Sequence, residues 1–208
     1  MLDSLKIDII EVGDFITNCY LVHDNGQGVI IDPGDDAGRI LDLINKAKVK
    51  IEKIILTHGH IDHIHAVPEI KQATGAPVLI HPQDAIMLTE AKANLSYYHD
   101  IAFSTEPADG MLNEDDTFDV GKYQFKVIHT PGHTPGGISF YTDGVVFTGD
   151  ALFWGSIGRT DFPGSSHESL ITAITEKLLI LPDDTKVYPG HGPQTTIGYE
   201  KTTNPWLS

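Results

Sequence analysis

The chain has a single cysteine, Cys19, among its 208 residues. It can form no intrachain disulfide, which fits a reducing compartment and leaves the fold to rest on its core. Basic residues are scarce as well: 14 Lys and Arg stand against 29 Asp and Glu, a formal charge of −15. Such a surface repels phosphate backbones and anionic lipid, which argues against nucleic acid or a membrane surface as partner. No apolar run approaches the roughly 20 residues that a membrane helix needs. The opening MLDSLKIDII has no basic stretch followed by an apolar one, so no signal peptide is expected. A cytoplasmic protein is the expectation. Repeats, low-complexity tracts and linkers are missing too, so residues 1–208 are expected to form one domain, long enough for a sizeable core. What the chain has in abundance is histidine, eleven in all.

Alternating and apolar runs predict strands over residues 5–11, 15–23, 28–31 and 51–56, with an amphipathic helix over 37–48 carrying Ile40, Leu41, Ile44 and Ala47. Helices are further predicted over 67–73 and 83–92, and a short strand over 78–80. Residues 94–114, with Tyr97, Tyr98 and Phe103 among polar neighbours, read as a long functional loop or lid. Strands return over 117–120, 123–129, 137–141 and 145–148. A Gly-rich loop over 153–165, a helix to about residue 180 and a last strand over 186–188 complete the chain. Strands then helices, twice over, fit two packed sheets with helices outside.

The segment Thr57-His58-Gly59-His60-Ile61-Asp62-His63 follows the apolar run 51–56 directly. At an extended strand end, alternate side chains share a side, so His58 and His60 can face one metal together. Asp62 and His63 follow after a turn and can point to a second position. Imidazole and carboxylate are the donors that divalent metals such as zinc select. His133 in Pro131-Gly132-His133, Asp150 in Gly149-Asp150 and His191 in Gly190-His191 occupy the same setting, a Gly turn directly after a strand-like run. Seven donors from four strand ends suffice for two metals with one carboxylate shared.

In this order and spacing, these motifs resemble the metallo-β-lactamase superfamily, over nearly the whole chain, including Asn18-Cys19-Tyr20 and Asp32-Pro33-Gly34. The resemblance implies an αββα sandwich, two mixed sheets flanked by helices, with metals in a cleft along its edge. It also implies His58, His60 and His133 on a first metal, Asp62, His63 and His191 on a second, and Asp150 bridging them. The loop Gly158-Arg159-Thr160-Asp161-Phe162 and the tail Gly190-His191-Gly192-Pro193, ending Asn204-Pro205-Trp206-Leu207, resemble the glyoxalase II branch in its short bacterial form. That branch implies hydrolysis of a glutathione thioester, S-lactoylglutathione above all, in methylglyoxal detoxification. The longer glyoxalase II enzymes carry a C-terminal helical domain with basic contacts to glutathione; the expectation here is a chain without it. At His65, many relatives have glycine.

Two metals sharing a water lower its pKa enough to give hydroxide near neutral pH, and a metal can take the developing oxyanion. A thiolate leaving group, with a pKa near 8.5, needs little protonation, which suits a chain that forces no additional acid. Asp62 and Asp150 are therefore the carboxylates expected to matter most for turnover, on two divalent ions, zinc first, with iron or manganese as alternatives. A persulfide dioxygenase of the same superfamily is the rival reading, with one iron on His58, His133 and Asp150. Among the remaining residues, Cys19 is expected to fill core space, and Arg159 and Asp161 to pair and brace their loop. His23, His81, His99, His129 and His167 are expected to be surface or satisfied core groups. Trp154 follows Asp150 closely enough to line the cleft.

Overall fold

The computed structural model describes residues 5–142 and 144–207. The first sheet adds its strands in chain order: β1 (Lys6–Val12), β2 (Thr17–Asp24), β3 (Gln27–Ile31), β4 (Lys50–Ile55), β5 (Val78–Ile80) and β6 (Gly110–Met111). The first three run antiparallel, and the last three join parallel. Parallel neighbours require crossovers, and these carry α1 (Ala37–Ala47), α2 (Ile61–Ile64) and α3 (Val67–Thr74). The second sheet begins as an antiparallel meander of β7 (Thr117–Val120), β8 (Tyr123–His129), β9 (Ile138–Thr142) and β10 (Val145–Gly149). A small hairpin of β11 (Leu152–Phe153) and β12 (Ser156–Ile157) follows, then α4 (His167–Ala173), prolonged by a π turn over Ile174–Leu178. β13 (Lys186–Pro189) then pairs parallel with β10, β14 (Thr195–Thr196) forms the sheet edge, and α5 (Ile197–Thr203) follows.

Both sheets are mixed, and helices cover their outer faces, so the αββα architecture expected from the sequence is the one adopted. Strand alternation sorts the core into three layers. In β2, Cys19 and Leu21 point to the helix side with Ile40, Ile44 and Ile70, whereas Tyr20 and Val22 point between the sheets. From the other sheet, Phe125, Val127, Phe140 and Phe147 meet them there, while Val146 and Val187 turn to Leu170, Ile174 and Leu178. Strands covered on both faces explain the nearly unbroken apolar runs. Cys19 is a fully buried core residue, as expected.

Helix α1 ends one residue before its expected limit, at Lys48, whose left-handed backbone (φ 57°) turns the chain into β4. The helix expected over 83–92 is corrected to a single 3-10 turn, Ala85–Leu88. Its start is pinned by Asp84, whose buried carboxylate reaches across to Thr134 Oγ1 and the Gly136 amide, both at 2.6 Å. Farther along, Asn94 Nδ2 donates to the Met87 carbonyl at 2.8 Å, satisfying it without a helical turn. The 94–114 segment is largely irregular, as expected, but contains a 3-10 turn at Ser96–His99 and the edge strand β6.

Phe140 is fully buried between the sheets, edge-on to Phe118 at 5.6 Å. Phe140→Ala is expected to destabilise the fold by about 3–5 kcal/mol, lost transfer energy plus a cavity. Urea unfolding checks this through a lower midpoint at unchanged slope.

Candidate metal centre

The seven donors singled out from the sequence converge at one edge of the sandwich. His58 and His60 leave the end of β4, and the single turn of α2 carries Asp62 and His63. His133 lies between β8 and β9, Asp150 follows β10, and His191 follows β13. Ring nitrogens of His58, His60 and His133 lie within 4.8 Å of one another, as do donor atoms of Asp62, His63 and His191. Asp150 stands between the groups, with Oδ2 3.4 Å from His133 Nε2 and 3.5 Å from His191 Nε2. Its Oδ1 lies 3.4 Å from His63 Nε2. The convergence needs Gly190: a Cβ there would fall 2.2 Å from Asp150 Oδ1 and 2.8 Å from the His63 ring.

Second partners set the histidine tautomers. Asp32 accepts from the Thr57 amide at 2.8 Å, Thr57 Oγ1 at 2.6 Å and His63 Nδ1 at 2.9 Å. Thr57 Oγ1 in turn accepts from His58 Nδ1 at 3.2 Å. His133 Nδ1 donates to the Arg159 carbonyl at 2.8 Å, and His191 Nδ1 to the Phe15 carbonyl at 3.1 Å. Four imidazoles therefore turn their Nε2 atoms inward. His60 presents Nδ1 instead, 3.0 Å from His133 Nε2. Lone pairs facing each other at that distance repel unless a cation or proton lies between them. Among the described residues, His58 Nε2 and Asp150 Oδ1 are buried without a hydrogen-bond partner, a costly state for polar atoms. The donor set, imidazole and carboxylate only, fits divalent cations.

The electrostatics agree. Burial, then the neighbouring imidazole of His133, pushes His60 down to about 3. His58 is held well below the usual imidazole range by burial and by His63, so both rings stay neutral donors. Burial would raise Asp62, but His63 and His191 outweigh it and hold the carboxyl at about 2. Burial would also lower His63, but Asp62, Asp150 and Asp32 together raise it.

Two positioning residues escaped the sequence reading. Asp32 entered only as part of the Asp32-Pro33-Gly34 motif, with no role at the donors. Asp84 joins the His133 loop to the His58 loop, because its carboxylate also takes the Gly59 amide. Burial raises its pKa, and the three hydrogen bonds oppose that rise. The only local signal for Asp84 was an acidic residue three places after His81, and that is too common to single out.

Other expectations resolve as follows. Arg159 and Asp161 do pair, Nε to Oδ1 at 3.0 Å and Nη2 to Oδ2 at 2.8 Å. His23 is satisfied by Asp8 at 2.9 Å, and His81 stacks on His129 at 4.2 Å. His99 is exposed, as expected, and also lines the cleft above the donors, edge-on to Phe15 at 5.2 Å. Trp154 is corrected. It lies in the turn after β11 and stacks on Tyr199 outside the cleft, while the preceding Phe153 lines the wall. His65, the departure from many relatives, sits between Asp35 at 3.4 Å and the Phe103 ring at 5.1 Å.

The model of the metallo-beta-lactamase superfamily matches residues 12–191. The chain belongs to this superfamily. Its members are metal-dependent enzymes that bind divalent ions through a His/Asp cluster of this kind. Hydroxyacylglutathione hydrolase GloC of Haemophilus influenzae is 38% identical over 213 residues, covering 98% of this chain and 99% of that protein. Among solved structures, the chain is similar to BLEG-1 B3 metallo-beta-lactamase, with TM-score 0.94, 38% identity and coverage of 98% and 100%. It is also similar to TTHA1623 in a di-iron-bound form, with TM-score 0.86, 38% identity and coverage of 96% and 100%. No helix among the described residues is long and apolar enough to cross a membrane.

Asp32→Ala removes the anchors of Thr57 and His63 while leaving all seven donors in place. Metal affinity is expected to fall about 10- to 100-fold, measured by competition with a chromophoric chelator. Retained far-ultraviolet circular dichroism in the same sample separates this from unfolding.

Proposed function

We propose that the chain is a cytoplasmic metal-dependent thioester hydrolase of the glyoxalase II branch, with S-lactoylglutathione as substrate. The position of Asp150 between two groups of three donors carries this reading, since one carboxylate facing both groups is the arrangement that holds two ions together. His58, His60 and His133 would hold the first ion, and Asp62, His63 and His191 the second, both reaching Asp150. Zinc suits this nitrogen and oxygen set. Such ions supply water activation and polarisation of the substrate carbonyl. The chain's own residues fix where this occurs: Asp32 keeps His63 Nδ1 protonated, and Phe153, Ile157 and Phe162 shield the donors from bulk water.

Among the described lining residues outside the seven donors, His99 is the one imidazole, and no carboxyl, Lys or Tyr joins it as a proton source for a leaving group. A thiolate needs none, whereas an amide nitrogen does. Similarity to GloC supports the same substrate class. Similarity to a di-iron-bound structure favours keeping one second reading, a persulfide dioxygenase with iron on His58, His133 and Asp150.

Metal-replete protein is expected to release lactate and glutathione from S-lactoylglutathione, and a chelator to abolish this. Absence of thioester turnover, with oxygen uptake on glutathione persulfide, overturns the proposal in favour of the dioxygenase.

Two variants test the sharing of Asp150. Asp150→Ala is expected to empty both sites and abolish turnover. Asp62→Ala is expected to keep one ion, on His58, His60 and His133, and to lose activity by orders of magnitude. Metal stoichiometry and rate measured on both variants decide this: near-full hydrolysis by Asp62→Ala with one ion bound would leave a mononuclear mechanism.

A further inference from the structure

The cleft above the donors encloses about 460 Å³, within the range that takes a drug-sized ligand and far more than a lactoyl group fills. Its walls are apolar at both ends of the donor cluster. Phe162 stands edge-on to His60 and His133, with ring centroids 5.3 and 5.8 Å away. Phe153 stands 6.1 Å from His191, and Phe15 and Leu95 extend the wall toward solvent. An ester whose carbonyl lies over the donors thus sends its arms out across aromatic surface.

Outside the donors, charge on the described walls is sparse. Arg159 is the one Lys or Arg among the described lining residues, and it is already engaged. Two of its nitrogens bond Asp161, and its guanidinium carbon lies 4.4 Å from the Phe162 ring centroid. The chain as a whole carries a formal charge of −15. A thiol bearing carboxylates therefore finds little here to attract them, and binding free energy must come from apolar contact.

The wall is also preformed. Buried Glu200 accepts from the Gly155 amide at 2.9 Å, Asn204 Nδ2 at 2.8 Å and Thr195 Oγ1 at 2.5 Å. Asn204 Nδ2 donates as well to the Ser156 carbonyl at 3.1 Å. These bonds tie the β11–β12 turn to α5 and hold Phe153 in place before any ligand arrives, which cuts the ordering cost of binding.

We propose that the cleft selects thioesters by an apolar acyl arm, hydrocarbon or aromatic, and not by the carboxylates of the thiol. This rests on the thioester-hydrolase reading and narrows its substrate class. Each methylene buried against these walls strengthens binding about fourfold.

The test uses inert S-alkylglutathione thioethers, from methyl to hexyl, titrated calorimetrically into the metal-replete protein, beside hydrolysis of S-lactoyl- and S-hexanoylglutathione. Affinity is expected to rise up to about 1,000-fold along the thioether series, five added methylenes at about fourfold each, with kcat/KM higher for the hexanoyl ester. Phe153→Ala is expected to remove about tenfold of that gain. Affinity that is flat with chain length and falls as salt is raised overturns the inference, because charge then does the recognition. Hydrolysis of S-lactoylglutathione with a flat series sinks this inference alone. Rising affinity with no thioester turned over sinks the hydrolase reading alone.

Discussion

A buried carboxylate, Asp32, organises the donor cluster on which everything else at this edge of the sandwich depends. Five imidazoles and two carboxylates crowd together there with donor atoms 3.0–3.5 Å apart in several pairs. The carboxylates draw in the imidazoles beside them, but the paired nitrogens of His60 and His133, and of His63 and His191, would push apart. Asp32 opposes this by holding His63 and, through Thr57, His58, from a strand end that cannot yield without disturbing the packed sheets. Asp84 does the same for the loop bearing His133, using neutral donors only. The framework thus bears the repulsion, and the donors stay set for a cation.

Much of this was legible in the amino-acid sequence. Runs such as 29–31 and 146–148 are buried on both faces, and their near-continuous apolarity reports that condition directly. The seven donors sit in glycine-containing turns just past such runs, where side chains have no packing role to explain them. His58 and Asp150 could therefore be singled out by residue type and place alone.

What escaped was of another kind. Residues 83–92 carry helical spacing, but the long-range pull of Thr134 and Gly136 on Asp84 overrides it, and no local pattern encodes a bond across 50 residues. The β11–β12 hairpin has two residues per strand, too few for alternation to register. Its placement depends on Glu200, more than 40 residues later. Trp154 and Phe153 are neighbours in the sequence, and only the geometry of the hairpin turn tells them apart.

The donors come from both sheets: His58 and His60 follow β4 of one, while Asp150 and His191 follow β10 and β13 of the other. The isolated bridge between Thr17 and His191 crosses the same seam. Neither half of the sandwich can assemble the cluster by itself. A cation held there reads the register of one sheet against the other, so it acts as a clasp that recognises only a molecule whose two halves have already closed.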